Sequence, residues 1–130
     1  MKKHFLIMSI ISCISYVHAY EWSVNDYIKN CSIVHQKTIS EADKETLGYC
    51  MGVLKGSLAG IIVTKSIETG EFKTQNCLLD EERTSFVEIQ KNVLATLRLK
   101  YKNSKTADDP NTANAAVIFS LIDLYPCLLE

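Results

Sequence analysis

The sequence predicts an all-α fold: a small four-helix, disulfide-bonded domain with a central glycine-striped helix. Three observations predict it. Apolar residues recur at spacings of three and four in four separate stretches, and no alternating strand pattern competes with them. Those stretches are bounded by capping residues, polar links or proline. Beyond the first 19 residues lie four cysteines, Cys31, Cys50, Cys77 and Cys127, which in a small exported chain read as two disulfides. With 130 residues, two prolines and five glycines, the chain has room for one small domain, and its 47% apolar content is ordinary for a globular protein.

Residues 1–19 are set apart. Lys2 and Lys3 form a positive end, His4 to Val17 is largely apolar, and Val17-His18-Ala19 is a small-residue cleavage site. This is the pattern of a secretory signal peptide cut after Ala19, too short to span a bilayer as a stable anchor. A rival reading takes Ile10-Ile11-Ser12-Cys13 as a lipoprotein box. Cleavage after Ala19 is expected to leave residues 20–130 as one exported domain. It removes two lysines, leaving 12 basic and 15 acidic residues, net −3, which argues against nucleic acid as a partner.

The first helix starts at Ser23. Its hydroxyl caps, Asp26 takes the reciprocal third position, and Trp22 is placed to staple onto Tyr27. The helix runs to about His35 with Tyr27, Ile28, Cys31 and Val34 inward. The link Lys37-Thr38-Ile39 is short enough to make the next helix an antiparallel neighbour.

The central helix is expected over Ser40 to Thr64. Ser40 caps it, and Glu41 and Asp43 sit at the positive end of its dipole. Leu47, Cys50, Met51, Leu54, Leu58, Ile61 and Ile62 form its buried face, and beside that face run Gly48, Gly52, Gly56 and Gly60. Each interior glycine costs roughly 1 kcal/mol against alanine. Close approach of a neighbouring helix or a partner to the bare backbone is the gain that offsets it. Lys55 and Lys65 bracket only nine residues, so stable membrane insertion is not expected.

A polar loop, Glu68 to Asn76, leads to Cys77. Asp80 is the expected cap of the third helix, with Glu81 and Glu82 in its first turn. Phe86, Ile89, Val93, Leu97 and Tyr101 are its inward stripe, widened by Val87 and Leu94, and Arg98, Lys100 and Lys102 complement its negative end. After a link through Asp108, Asp109-Pro110 marks a fourth helix start. That helix turns Ala113, Ala116, Val117, Ser120, Leu121 and Leu124 inward, with its small residues available to the glycine stripe. Proline stops it at Tyr125-Pro126-Cys127.

Four cysteines allow three connectivities, and sequence does not choose among them. Cys31–Cys50, joining the first two helices, with Cys77–Cys127, tying loop to C-terminus, is the favoured pair. Cys31–Cys127 with Cys50–Cys77 stays open. A metal site is not expected: a single histidine, His35, remains after cleavage, and the cysteines are too far apart in sequence to supply the close ligand pairs that zinc sites use. No catalytic group stands out. Oxidised cysteines leave no thiolate for His35 to activate. The carboxylate pairs Glu81-Glu82 and Asp108-Asp109 fall where helix N-termini explain them, and no phosphate-binding glycine loop is present. The chain reads as a binding protein without a cofactor.

The run Gly48-Tyr49-Cys50-Met51-Gly52-Val53-Leu54-Lys55-Gly56 resembles the Rap/Tai-type immunity proteins of the type VI secretion system. The likeness extends to Cys31 in an earlier helix, Cys77 in mid-chain and the closing Pro126-Cys127, covering about residues 24–127. It departs at Leu79, where the family often has proline, and in the longer Lys102–Asp109 link. The resemblance implies a small helical periplasmic protein that binds and sterically blocks an injected toxin, often a peptidoglycan amidase using cysteine and histidine. Exposed acidic links at Glu68, Glu71, Asp108 and Asp109 are candidate contacts, with charge to complement a basic groove. Two other readings remain: an acid-stress chaperone of the HdeA type, and an envelope protein that forms a homodimer through its glycine stripe.

Overall fold

The computed structural model describes residues 21–70 and 85–129, and there every element is helical. Four α-helices follow one another: α1, Val24–Cys31; α2, Glu41–Thr69; α3, Phe86–Tyr101; and α4, Ala113–Leu124. Short 3₁₀ turns, Ser32–His35, Lys105–Asp108 and Pro126–Leu129, extend or link them. Residues 1–20, on which the expected signal peptide falls, together with Glu71, Cys77, Asp80, Glu81 and Glu82, lie outside the described residues.

The α1 cap forms as expected. Asp26 N–H donates to Ser23 Oγ at 3.1 Å, and Asp26 Oδ2 accepts from Ser23 N–H at 3.3 Å. Trp22 meets Tyr27 edge-on, with ring centroids 6.5 Å apart, and lies 4.3 Å from the Tyr49 ring on α2. The same entry segment holds the start of α4, because Ala113 N–H donates to Trp22 O and Val24 N–H donates to Thr112 Oγ1.

α2 runs five residues beyond the expected end. The hydroxyls of Ser66 and Thr69 donate to carbonyls four residues back, Lys65 pairs with Glu68, and Gly70 takes the left-handed conformation (φ 70°) that closes the helix. Glu68 is therefore helical rather than part of a loop. α3 is capped by Ser85, whose Oγ accepts from Glu88 N–H at 3.3 Å, so the cap expected at Asp80 does not start this helix. Phe86 and Val87 stand 40% and 42% exposed at its first turn, not inward as expected. α4 likewise does not start at Asp109-Pro110. Asn111 is left-handed (φ 72°), a conformation asparagine tolerates, and it interrupts any helical run from Pro110 to Ala113.

The core joins Val24, Tyr27 and Cys31 of α1, Cys50, Leu54, Leu58 and Ile61 of α2, Val93, Leu94 and Leu97 of α3, and Val117 and Leu121 of α4. Leu128 of the last turn is fully buried with them. Cys31 and Cys50 are bonded, with a Cα separation of 5.8 Å, which excludes the rival pairing. Cys127 is also disulfide-bonded; Cys77, the partner expected for it, is outside the described residues.

One polar contact inside the core was not anticipated. Gln90 is fully buried, and its Nε2 donates to the Tyr27 hydroxyl at 2.9 Å. The hydroxyl lies 3.4 Å from Cys50 O, so side chains of α1 and α3 and the backbone of α2 meet at one point. Burial pushes the Tyr27 phenol up to about 12.

Candidate partner-binding surface

The glycines do not pack inside the molecule. At 100° per residue, the arc from Gly48 to Gly60 is centred roughly opposite Leu54 on the helix, and all four glycines are exposed. Among the described residues, a methyl group built at Gly48, Gly52, Gly56 or Gly60 would find no atom within 4 Å beyond its own stretch of helix. The expectation that the small residues of α4 lie on this stripe is therefore wrong. Ala113 and Ala116 are buried in the core, whereas Asn114 and Ile118 of α4 form one side of a groove of about 460 Å³. Gly52 and Gly56 lie along that groove with Tyr49, Val53 and Ser57.

This open face has no charge along most of its length. Tyr49, Gly52, Gly56, Ala59, Gly60, Val63 and Ile67 follow one another along it for roughly 27 Å, with Val63 and Ile67 47% and 78% exposed. α2 contains an 18-residue window of mean hydropathy 1.5, only 28% of which is buried, so by length and composition it is apolar enough to cross a membrane. Counting only between Lys55 and Lys65 understated that apolar length. Its other face is committed to protein, since Cys50, Leu54, Leu58 and Ile61 pack in the core. Among the described residues, the result is a long helix held along one side and exposed along most of the other.

The acidic candidates are placed differently. Glu68 pairs with Lys65 at 3.5 Å near the end of α2, roughly 27 Å along the axis from Cys50. Asp108 Oδ1 accepts from Asn25 Nδ2 of α1 at 2.6 Å. Asp109 is exposed, and its carbonyl accepts from Thr112 Oγ1. Asp108 and Asp109 are chain neighbours in the link before α4, whereas Glu68 stands on α2. Pro126 is exposed at the head of the last 3₁₀ turn, where it ends α4.

His35 is exposed at the end of the 3₁₀ turn after α1. Among the described residues no group of three or more His, Cys, Asp or Glu side chains could hold a metal ion. What the geometry offers is an exposed apolar ridge on which the glycines leave the helix backbone uncovered among the described residues. The signal for it was present in the sequence, because a wheel centred on Leu54 puts the glycines opposite the core. No protein-family model, curated protein or solved structure matches the chain.

Proposed function

We propose that this protein is a periplasmic immunity protein that binds a secreted toxin of the cell-wall amidase class and blocks it sterically. The observation that carries the reading is the exposed apolar face of α2, from Gly52 to Ile67, on a helix clamped to α1 by Cys31–Cys50. An exposed, contiguous apolar face is a mark of protein-binding surface. The glycines let partner backbone sit closer than any side chain would allow. The order of cysteines and glycines, which resembles the Rap/Tai-type immunity proteins, supplies the class of partner. No metal, nucleotide or other cofactor is invoked.

The test is capture of a partner from secreted and periplasmic fractions with the oxidised protein, followed by assay of the partner's cell-wall hydrolase activity. A stoichiometric partner whose hydrolase activity disappears on binding establishes immunity. Gly52→Leu with Gly56→Leu should then abolish capture by filling the groove, while charge reversal at Glu68 or Asp109 should slow association and leave the complex otherwise intact. A partner that binds the leucine variant as well as wild type removes this face from the site.

The same open glycines favour one second reading, a homodimer that covers α2 with a second copy. Sedimentation across a range of concentrations separates the two: a dimer lost in the Gly52→Leu, Gly56→Leu variant, with no hydrolase captured, selects the homodimeric envelope role.

A further inference from the structure

A second groove, also about 460 Å³, lies on another part of the fold between α1 and the end of α3. Asn25 and Ile28 line it from α1, Arg98 and Tyr101 from α3, and Ser104 and Asp108 from the segment that follows. Lys102, the residue at which α3 ends, also lines it. The backbone turns sharply there: Asn103 is left-handed (φ 68°) and Ser104 N–H donates to Tyr101 O at 3.0 Å. Ile28 and Tyr101 are half-buried and rest on the core, so the apolar part of the lining is fixed.

The charges in this groove are unlike and unpaired with each other. Arg98 Nη2 donates to the neutral Ser32 hydroxyl at 2.7 Å, and neither Arg98 nor Lys102 forms an ion pair among the described residues. Asp108 spends Oδ1 on Asn25 and leaves Oδ2 without a partner among the described residues. Two cations and a carboxylate thus line one concavity without neutralising one another. Such an arrangement complements a ligand that carries both signs. A planar guanidinium grips a carboxylate through paired N–H donors, a carboxylate accepts from ammonium or amide N–H, and the volume falls in the range of small-molecule sites.

We propose that this groove binds a short peptide with a free C-terminal carboxylate. Arg98 and Lys102 hold the terminal carboxylate, Asp108 Oδ2 accepts from an N–H or ammonium of the preceding residue, and a small apolar side chain lies over Ile28 and Tyr101. The site is distinct from the α2 face and does not depend on the toxin-binding reading.

The test is an NMR titration of the oxidised protein with Ala-Ala, with Ala-Ala amide and with N-acetyl-Ala-Ala. The expected result is saturable shifts at Asn25 and at Tyr101 to Ser104 with Ala-Ala, weakened at least tenfold when the carboxylate is amidated. Arg98→Gln and, separately, Lys102→Gln should each weaken Ala-Ala several-fold, with circular dichroism unchanged. Asp108→Asn should weaken Ala-Ala more than N-acetyl-Ala-Ala, since the acetyl group has already removed the ammonium. A decapeptide ending in Ala-Ala distinguishes sources: tighter binding than the dipeptide assigns the groove to chain ends, equal binding to free dipeptides. No saturable shift with any of these peptides, equal binding of acid and amide, or wild-type affinity in both Arg98→Gln and Lys102→Gln overturns the proposal.

Discussion

Two buried side chains make opposite demands on the core. Tyr27 has its hydroxyl satisfied by Gln90, whereas the Ser120 hydroxyl is fully buried with no hydrogen-bond partner among the described residues. Removing an unsatisfied buried hydroxyl relieves a desolvation cost of about 1 kcal/mol or more. Ser120→Ala should therefore raise the urea midpoint without changing the slope. A fall in the midpoint would show that the hydroxyl has a partner. Tyr27 predicts a pH dependence. Its folded value is raised above the ordinary value of 10.0 to about 12, so the neutral phenol is the form the fold prefers. Its contribution is fully present below pH 10 and is lost as pH rises through about 12, because the unfolded chain ionises first. The loss is on the order of 2–3 kcal/mol. Tyr27→Phe should be less stable at neutral pH, since Gln90 loses its partner, yet show a shallower alkaline decline. Equal declines in the two proteins would refute this account of the phenol.

At the scale of the element, α2 is where sequence and packing part company. Interior glycines weaken a helix by roughly 1 kcal/mol each, and among the described residues nothing occupies the space they leave. Gly52→Ala with Gly56→Ala should stabilise the free protein by about 1–2 kcal/mol, read as a higher Tm, while weakening the partner whose backbone uses that space. A drop in Tm would mean that an unseen contact already fills the groove. Phe86 shows a similar contrast at the start of α3. It stands partly exposed under the Lys55 ammonium, 4.9 Å from the ring centroid, rather than inside the core. The Ser85 cap sets the phase of that first turn, and Ile89 takes the inward position.

For the whole molecule, the Cys31–Cys50 bond joins a short helix to the longest one, and both sulfurs are fully buried. Replacing both with alanine should cost about 3 kcal/mol through the freed loop, measured by urea denaturation. In a domain of this size that is a large share of total stability. If stability stays unchanged, the core alone holds α1 in place. The Tyr27–Gln90 contact and the hydrogen bond from Ala113 to Trp22 also hold α1 and the segment leading into it, so the variant should remain helical while its α1 amides exchange faster.

The chain by itself determined the helical class, the caps at Ser23 and Ser40, the inward faces of α1 and α4, and the stop at Pro126. Each of these follows from neighbours within a turn or two of one another: hydroxyl to amide, apolar to apolar at helical spacing, proline against a helix. Tertiary structure decided what depends on residues far apart in sequence. It chose Cys31–Cys50 among the connectivities. It buried Gln90 against Tyr27, turned Phe86 outward, left the glycine stripe uncovered by the other described helices, and set Arg98, Lys102 and Asp108 around one groove. Helical periodicity says that a face is apolar or bare, but only the positions of the other helices decide whether that face is covered. On α2 they cover the side of Leu54 and leave the side of Gly52 and Gly56 open, and that open side is the one proposed to meet the partner.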